Sequence, residues 1–269
     1  MSAPSEKYLR VAVQAARAGG KVLMSRFGRL SPGQIKKKGR YDWVTEMDHR
    51  SEREILRVIR GAFPDHAAQA EESAPGRASG RFVWLIDPLD GTVNYLHGFP
   101  MFAVSIALAV DGRLEAGVVY DPAREEMFTA RRGHGAFLNG RRIRVSGHSK
   151  FDGALLATGF PFRAQRLLGL YLRSFRSIFI RTGNIRRAGS AAIDLAYTAC
   201  GRMDGFWEMS LSPWDMAAGA LLIEEAGGQV SDFFGEGQYL RRGHIVAAAP
   251  ALRRDLVKLL KPIFRGKIP

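Results

Sequence analysis

Leu9, Val13, Ala16, Val22, Leu23 and Phe27 recur at a helical spacing and predict an amphipathic helix over residues 5–27. Gly19-Gly20 weakens that helix, and Ser31-Pro32-Gly33 ends it. Lys36-Lys37-Lys38-Gly39-Arg40 reads as a mobile, solvated basic loop able to reach a phosphate-bearing site. Asp42 to Asp48 lead into a second helix, capped by Thr45 or Asp48, with Ile55, Leu56, Val58 and Ile59 as its apolar face. Phe63-Pro64-Asp65 ends it, and the alanine-rich stretch before Glu71-Glu72 reads as a short strand. The apolar run 82–86 predicts a buried strand that stops at Asp87-Pro88. Runs 103–110 and 113–120, joined by Asp111-Gly112, predict a hairpin. A strand at 126–130 and a turn at Leu138-Asn139-Gly140 extend a largely antiparallel sheet.

A second lobe opens near Phe151. Its predicted elements are a strand over 155–159, a helix over 164–179 with arginines outside, and a strand over 185–188. A helix follows from Gly189 to Ala199, then a strand over 205–208, a helix from Ser212 to Ala226, strands at 230–231 and 245–248, and a closing helix over 250–263. The expected class is α/β: one compact unit with an antiparallel-rich lobe over 1–150 and a smaller α/β lobe over 151–269.

A chain of 269 residues, 46% apolar and 25% charged, is ordinary for a globular protein of this size. One cysteine, Cys200, leaves no internal disulfide. With no signal-peptide pattern at the N-terminus, a cytoplasmic location is expected. No apolar run is long enough to cross a bilayer, so no membrane partner is expected. The net charge of +14 is unevenly placed: residues 127–193 hold thirteen Lys or Arg against the single acid Asp152. Such a stretch reads as a solvated face that draws in anionic substrates, or as a contact for nucleic acid or an acidic protein.

The candidate chemistry centres on Trp84-Leu-Ile-Asp-Pro-Leu-Asp-Gly-Thr-Val-Asn94. Asp87 and Asp90 stand in a tight turn at a strand end, with Pro88 fixing the backbone between them. Acids so close repel each other unless a cation lies between them. Gly91 lets the backbone approach a ligand, and the N–H groups of Gly91 and Thr92 face an anion if a helix begins there. Oxygen ligands for a hard divalent metal beside donors for phosphate are what metal-assisted phosphate ester hydrolysis needs. Each piece alone has a plainer reading. Asp-Pro with Asp-Gly is commonly a turn, Asp48 a cap, Glu71-Glu72 solvated, Glu208 surface, and Asp215 an acid favoured in a first helical turn. Their joint occurrence at turns and element ends favours a site.

These motifs, with Val44-Thr45 to Asp48 and Trp214-Asp-Met-Ala-Ala-Gly219, resemble the inositol monophosphatase family from about Lys37 to Ala249. Ala157-Thr-Gly-Phe-Pro-Phe162 and Arg187-Ala-Gly-Ser-Ala-Ala-Ile-Asp-Leu-Ala196 look like its bacterial, SuhB-type branch. The resemblance implies the layered α+β sandwich shared with fructose-bisphosphatases, a Mg2+-dependent and lithium-sensitive phosphomonoesterase, and a homodimer. It implies that Glu71, Asp87, the Leu89 carbonyl and Thr92 hold a first Mg2+, and that Asp87, Asp90 and Asp215 hold a second. A third, weaker ion leans on Glu71. Asp48 orients Thr92, which positions and helps deprotonate the attacking water. Asp90, Gly91, Thr92, Gly189, Ser190, Ala191 and Glu208 line the phosphate and alcohol sides. The lysine of the basic loop is any of Lys36, Lys37 and Lys38, with spacing favouring Lys37. Phosphatases of the haloacid dehalogenase type use a nucleophilic Asp with a second Asp two residues later; here the spacing is three, with a proline between.

The chain departs from the family pattern at Ala70, where Gly is common, and at Ser212, where relatives carry His or Arg. The expected activity is hydrolysis of myo-inositol monophosphate or a similar small sugar or polyol phosphate. The other expected role, shared by the SuhB-type branch, is binding RNA, RNA polymerase or Nus factors in transcription antitermination and ribosomal RNA synthesis. The basic stretch suits that role.

Overall fold

The computed structural model describes residues 4–39, 42–74, 76 and 78–268. In chain order its elements begin with α1 (Pro4–Met24), β1 (Ile35–Gly39), β2 (Asp42–Thr45), α2 (Glu46–Ala62), β3 (Ala67–Ala70), β4 (Phe82–Asp90) and α3 (Thr92–Leu96). Then come β5 (Ala103–Val110), β6 (Arg113–Asp121), β7 (Glu126–Arg131), β8 (Gly135–Leu138) and β9 (Arg141–Arg142). The rest comprises β10 (Leu155–Thr158), a 3-10 segment (Phe162–Leu167), α4 (Leu168–Thr182), β11 (Asn184–Arg186), α5 (Ala191–Ala199), β12 (Gly205–Met209), α6 (Pro213–Glu225), β13 (Gln229–Ser231), α7 (Tyr239–Arg242), β14 (His244–Ala248) and α8 (Pro250–Phe264).

The expected α/β class holds, as alternating layers. A seven-stranded sheet runs β3-β4-β5-β6-β7-β8-β9, antiparallel except for the parallel pair β3/β4. A five-stranded mixed sheet runs β11-β10-β12-β14-β13. Helices α1 and α2 cover the outer face of the larger sheet, α5 and α6 fill the space between the sheets, and α4 and α8 cover the outer face of the smaller one. Each apolar face is thereby buried against another element. Ten consecutive residues of α6, Trp214–Ile223, are buried, as a helix enclosed between two sheets requires.

Gly19-Gly20, which weakens α1 in the sequence, leaves it unbroken. A Cβ at Gly19 would stand 2.7 Å from Ser51 Oγ, and one at Gly20 would stand 2.5 Å from the Tyr120 ring. The glycines let α1 press against both α2 and the sheet. The segment Lys36–Gly39 belongs to β1 rather than to a loop: Lys36 pairs with Val44 and Lys37 with Trp43. The lysine run hides this strand because its partner supplies the apolar residues. Arg40 of that expected loop lies outside the described residues. The helix expected over 164–179 starts later, at Leu168, after the 3-10 segment, and α7 carries no apolar periodicity to announce it. No helix among the described residues is long and apolar enough to cross a membrane.

The feature that positions the site is a bulge in β4. Asp87 pairs with Ser105 and Asp90 with Ala103, so three steps along β4 match two along β5. Residues three apart on a regular strand point to opposite faces. The extra residue turns both carboxyls to one side, and Pro88, without an N–H, sits where the ladder is interrupted.

Close packing of α5 against α6 predicts an effect of substitution. A Cβ at Gly219 would lie 2.4 Å from Leu195 Cβ, deep in the middle layer. Gly219→Val should destabilise the fold by roughly 1–3 kcal/mol, read as a lower urea midpoint. An unchanged midpoint would mean that the two helices have room to separate.

Candidate active site

The acids of the site are held by helix beginnings. Thr45 is the N-cap of α2, and its N–H and Oγ1 donate to Asp48 Oδ2 at 2.8 and 2.6 Å. Asp48 Oδ1 in turn accepts the Thr92 hydroxyl at 3.2 Å. Both alternatives for the cap are therefore used, and Asp48 reaches the site besides. Ser190, the N-cap of α5, donates through Oγ to Asp90 Oδ2 at 2.6 Å, and Ala192 N–H donates to the same oxygen at 2.7 Å. Asp215 Oδ2 accepts the Ser212 N–H at 2.8 Å, closing a capping box on α6. Ser212 thus serves as a cap where the sequence showed only a departure from the family.

Asp87 Oδ1 accepts the Leu89 N–H at 2.9 Å inside the bulge. Glu71 follows β3, and its N–H donates to Ile86 O at 3.1 Å, which sets it beside β4. Gly91 adopts φ 94° at the start of α3, and a Cβ there would stand 2.8 Å from Met101 O, so the turn needs glycine. Asn94 Nδ2 ties the turn to the smaller lobe by donating to Ala188 O at 3.0 Å.

These groups surround a cavity of about 340 Å³. Glu71, Asp87, Leu89, Asp90, Gly91, Thr92, Gly189, Ser190, Ala191, Glu208 and Asp215 all line it, and Asp48 stands behind Thr92. The acids come together although they lie far apart in the chain. The cavity also takes Arg163, Arg187 and Asp194, which sequence reasoning had not assigned. Asp194 lies one helical turn after Ser190 on α5, a spacing that places both on one face. Glu52, one turn after Asp48, accepts the N–H groups of Glu72 and Ser73 at 2.8 and 2.9 Å and braces the acid turn. Arg163 carries no local signal, while Arg187 opens the Arg187–Ala196 motif and was not read as a site residue. Their guanidiniums lie 5.0 Å and 5.1 Å from the Phe162 and Phe160 ring centroids. Lys38, not Lys37, faces the acids: its ammonium is 2.5 Å from Glu72 Oε1, while that of Lys37 lies over the Trp43 ring.

Burial pushes the carboxyls up from their ordinary range. Asp48 rises to about 7 through burial, against the hydrogen bonds from Thr45. Asp215 rises to about 8 through burial and the nearby Asp90 and Glu71. Asp87 goes well up through burial and the charges of Glu71, Asp90 and Asp215, while Asp90 is raised by burial against its bonds from Ser190 and Ala192. Among the described residues no three His, Cys, Asp or Glu side chains already enclose a metal position, since several of their oxygens are turned to protein donors. The donor set nonetheless fits Mg2+. It consists of carboxylates with the Leu89 carbonyl, hard oxygen throughout, and a divalent cation among them would offset both their burial and the repulsion that Glu71, Asp90 and Asp215 add at Asp87.

Hard oxygen ligands in one cavity beside helix amides that can face a phosphate fit the metal-dependent phosphatases. Comparison with known proteins narrows this further. The chain belongs to the inositol monophosphatase family, whose model matches residues 5–264. It is 51% identical to Nus factor SuhB of Pseudomonas aeruginosa, covering 94% of this chain and 96% of that protein. The crystal structure of SuhB from Bartonella henselae superposes with a TM-score of 0.90 at 42% identity, covering 97% of this chain and 99% of that one. An inositol monophosphatase from Thermotoga maritima superposes with a TM-score of 0.87 at 35% identity, covering 96% and 98%.

Asp194 gives a test of the electrostatics. It is 1% exposed, and its Oδ1 has no hydrogen-bond partner among the described residues. Burial, then the charge of Asp90, pushes it well up, against Arg187. A raised acid leaves the fold unpenalised below its unfolded value of about 3.9 and costs stability as pH rises toward the folded value. Asp194→Asn should therefore be more stable than the parent at pH 8, with the difference in urea midpoint shrinking toward pH 4. A constant difference across that range would show that Asp194 titrates normally.

Proposed function

We propose that this protein hydrolyses phosphate monoesters of small polyols, myo-inositol 1-phosphate among them, with Mg2+. The observation that carries this reading is one cavity shared by the bulge carboxyls Asp87 and Asp90, the capping carboxyl Asp215, and Thr92 with Asp48 hydrogen-bonded behind it. Glu71, Asp87, the Leu89 carbonyl and Thr92 would hold a first ion; Asp87, Asp90 and Asp215 a second; and Glu71 would help hold a weaker third. When bound, Mg2+ supplies Lewis-acid polarisation of the phosphate oxygens and acidifies a water. Thr92 would position the attacking water, its hydroxyl accepting the water's proton as it passes its own to Asp48 along the 3.2 Å hydrogen bond. The N–H groups of Gly91 and Thr92 hold the phosphate. Glu208, with Gly189, Ser190 and Ala191, forms the alcohol side, where a buried carboxyl accepts or donates to hydroxyls. Residues 1–150 and 151–269 act as one catalytic unit, in a homodimer in the cytoplasm, consistent with the single free cysteine Cys200.

A second role rests on a separate face. The relatives named Nus factor SuhB support association with RNA polymerase, Nus factors or RNA. Helix α4 has no acidic residue; it exposes Arg173, Arg176 and Arg181 beside the exposed Leu172, Phe179 and Ile180. Such a face draws in an anionic partner.

Release of phosphate from inositol 1-phosphate should depend on Mg2+, be inhibited by Li+, and fall roughly 100-fold or more in Asp215→Asn, the scale seen when an essential electrostatic group is removed. Undiminished turnover in that variant at saturating Mg2+ would sink the metal assignment. Changing Arg173, Arg176 and Arg181 together to Gln should leave this turnover within a few-fold. It should flatten the salt dependence of RNA or partner binding by roughly one contact per lost charge. Loss of phosphatase activity in the folded triple variant would place those arginines in the site or in a dimer contact that shapes it.

A further inference from the structure

Helix α2 has two working faces. Its inner face supports the acid site: Asp48 accepts the Thr92 hydroxyl, Ser51 Oγ donates to Pro88 O, and Glu52 accepts the Glu72 and Ser73 N–H groups. Its outer face carries Arg50, Arg53 and Arg57, spaced three and four residues apart and so on one side of the helix. These arginines and Lys21 of α1 are exposed. The two helices cross closely at Gly19. Beside that crossing lies a groove of about 520 Å³, floored by Ala18, Val22 and Met47 and walled by the four cations with Glu54. None of its residues lines the acid cavity. Glu46 Oε1 lies 2.7 Å from Arg50 Nη2, and Glu54 Oε2 lies 2.9 Å from Arg57 Nε. Lys21 and Arg53 form no close ion pair among the described residues, so cations outnumber acids around the groove.

We propose that this groove binds a small polyphosphate anion, two or three linked phosphates, and that the bound anion clamps α2 to α1. The inference goes beyond the phosphatase reading and does not depend on a metal. Like charges on the two helices repel across the groove, and an anion between them removes that repulsion. Guanidinium forks match phosphate oxygens in pairs. One exposed ion pair contributes little and is screened by salt, so the ligand must engage several cations at once. At 1.5 Å per residue, Arg50 to Arg57 spans roughly 10 Å of helix, room for linked phosphates rather than for one. A bounded groove of this volume suits a small molecule better than a long polymer backbone. Because Asp48, Ser51 and Glu52 sit on the other side of the same helix, the anion would hold the supports of the acid site from behind.

Calorimetric titration of the full chain with tripolyphosphate, at low salt and without divalent metal, tests the site. Tripolyphosphate should bind roughly tenfold or more tightly than inorganic phosphate. Lys21→Gln and Arg53→Gln should each weaken it roughly fivefold, while Arg187→Gln in the acid cavity should leave it unchanged. Saturating tripolyphosphate should slow hydrogen exchange of the 46–62 amides in the parent, and less so in Lys21→Gln at the same concentration. No binding, equal affinity for phosphate and tripolyphosphate, or a loss in Arg187→Gln instead of Lys21→Gln overturns the site. Binding that leaves exchange in α2 unchanged removes the clamp. If a short single-stranded RNA binds more tightly and the groove substitutions abolish that binding, the occupant is a nucleic-acid backbone and the small-anion proposal falls.

Discussion

Several carboxyl groups are crowded together out of solvent, and much of the surrounding architecture answers the cost of burying them and their mutual repulsion. Asp90 is met by a hydroxyl and an amide at the start of α5, Asp215 by an amide at the start of α6, and Asp48 by both groups of the cap of α2. A helix beginning offers unpaired N–H groups and the positive end of the helix dipole. Three helices therefore start where three acids stand. The same donors that let each acid tolerate burial also fix where its remaining oxygen can go. The rise of these groups from their usual range shows that the donors offset only part of the cost.

Rigid layers supply what the donors do not. The bulge presents Asp87 and Asp90 on one face, and that face is packed beneath the helices of the middle layer. Ser105 Oγ donates to Trp214 O at 2.9 Å, pinning the start of α6 to the strand beside the bulge. Ser51 Oγ donates to Pro88 O at 3.0 Å from the opposite side. The turn is thus gripped from both layers. Glycines at 19, 91 and 219 mark where backbone or helix must come close enough for those grips to exist.

Much of this was legible in the chain. The apolar runs and turn residues announced most elements, and the acids of the motif all arrived in one cavity. What was not legible depended on partners distant in sequence. A run of lysines reads as solvated loop until Trp43 and Val44 are known to lie across from it. Spacing pointed to Lys37, but strand alternation puts Lys37 over an indole and turns Lys38 to the acids. Gly19-Gly20 carries a helix-breaking signal that holds only where nothing packs against the helix. Arg163 reaches the cavity mouth through the topology of the smaller sheet, which no local pattern encodes.

The hydrogen bond from Ser190 to Asp90 joins residues 100 positions apart in the chain. Closing so long a segment costs entropy that local contacts do not repay, so such a bond belongs to the late stages of folding. On a chain leaving the ribosome, the motif around Asp87 and Asp90 emerges well before the helix that completes it. Until α5 arrives, Asp90 lacks the hydroxyl and the amide that hold it. Acquisition of the charged pocket is thereby tied to completion of the whole fold, so that a truncated or half-folded chain displays the motif without the pocket.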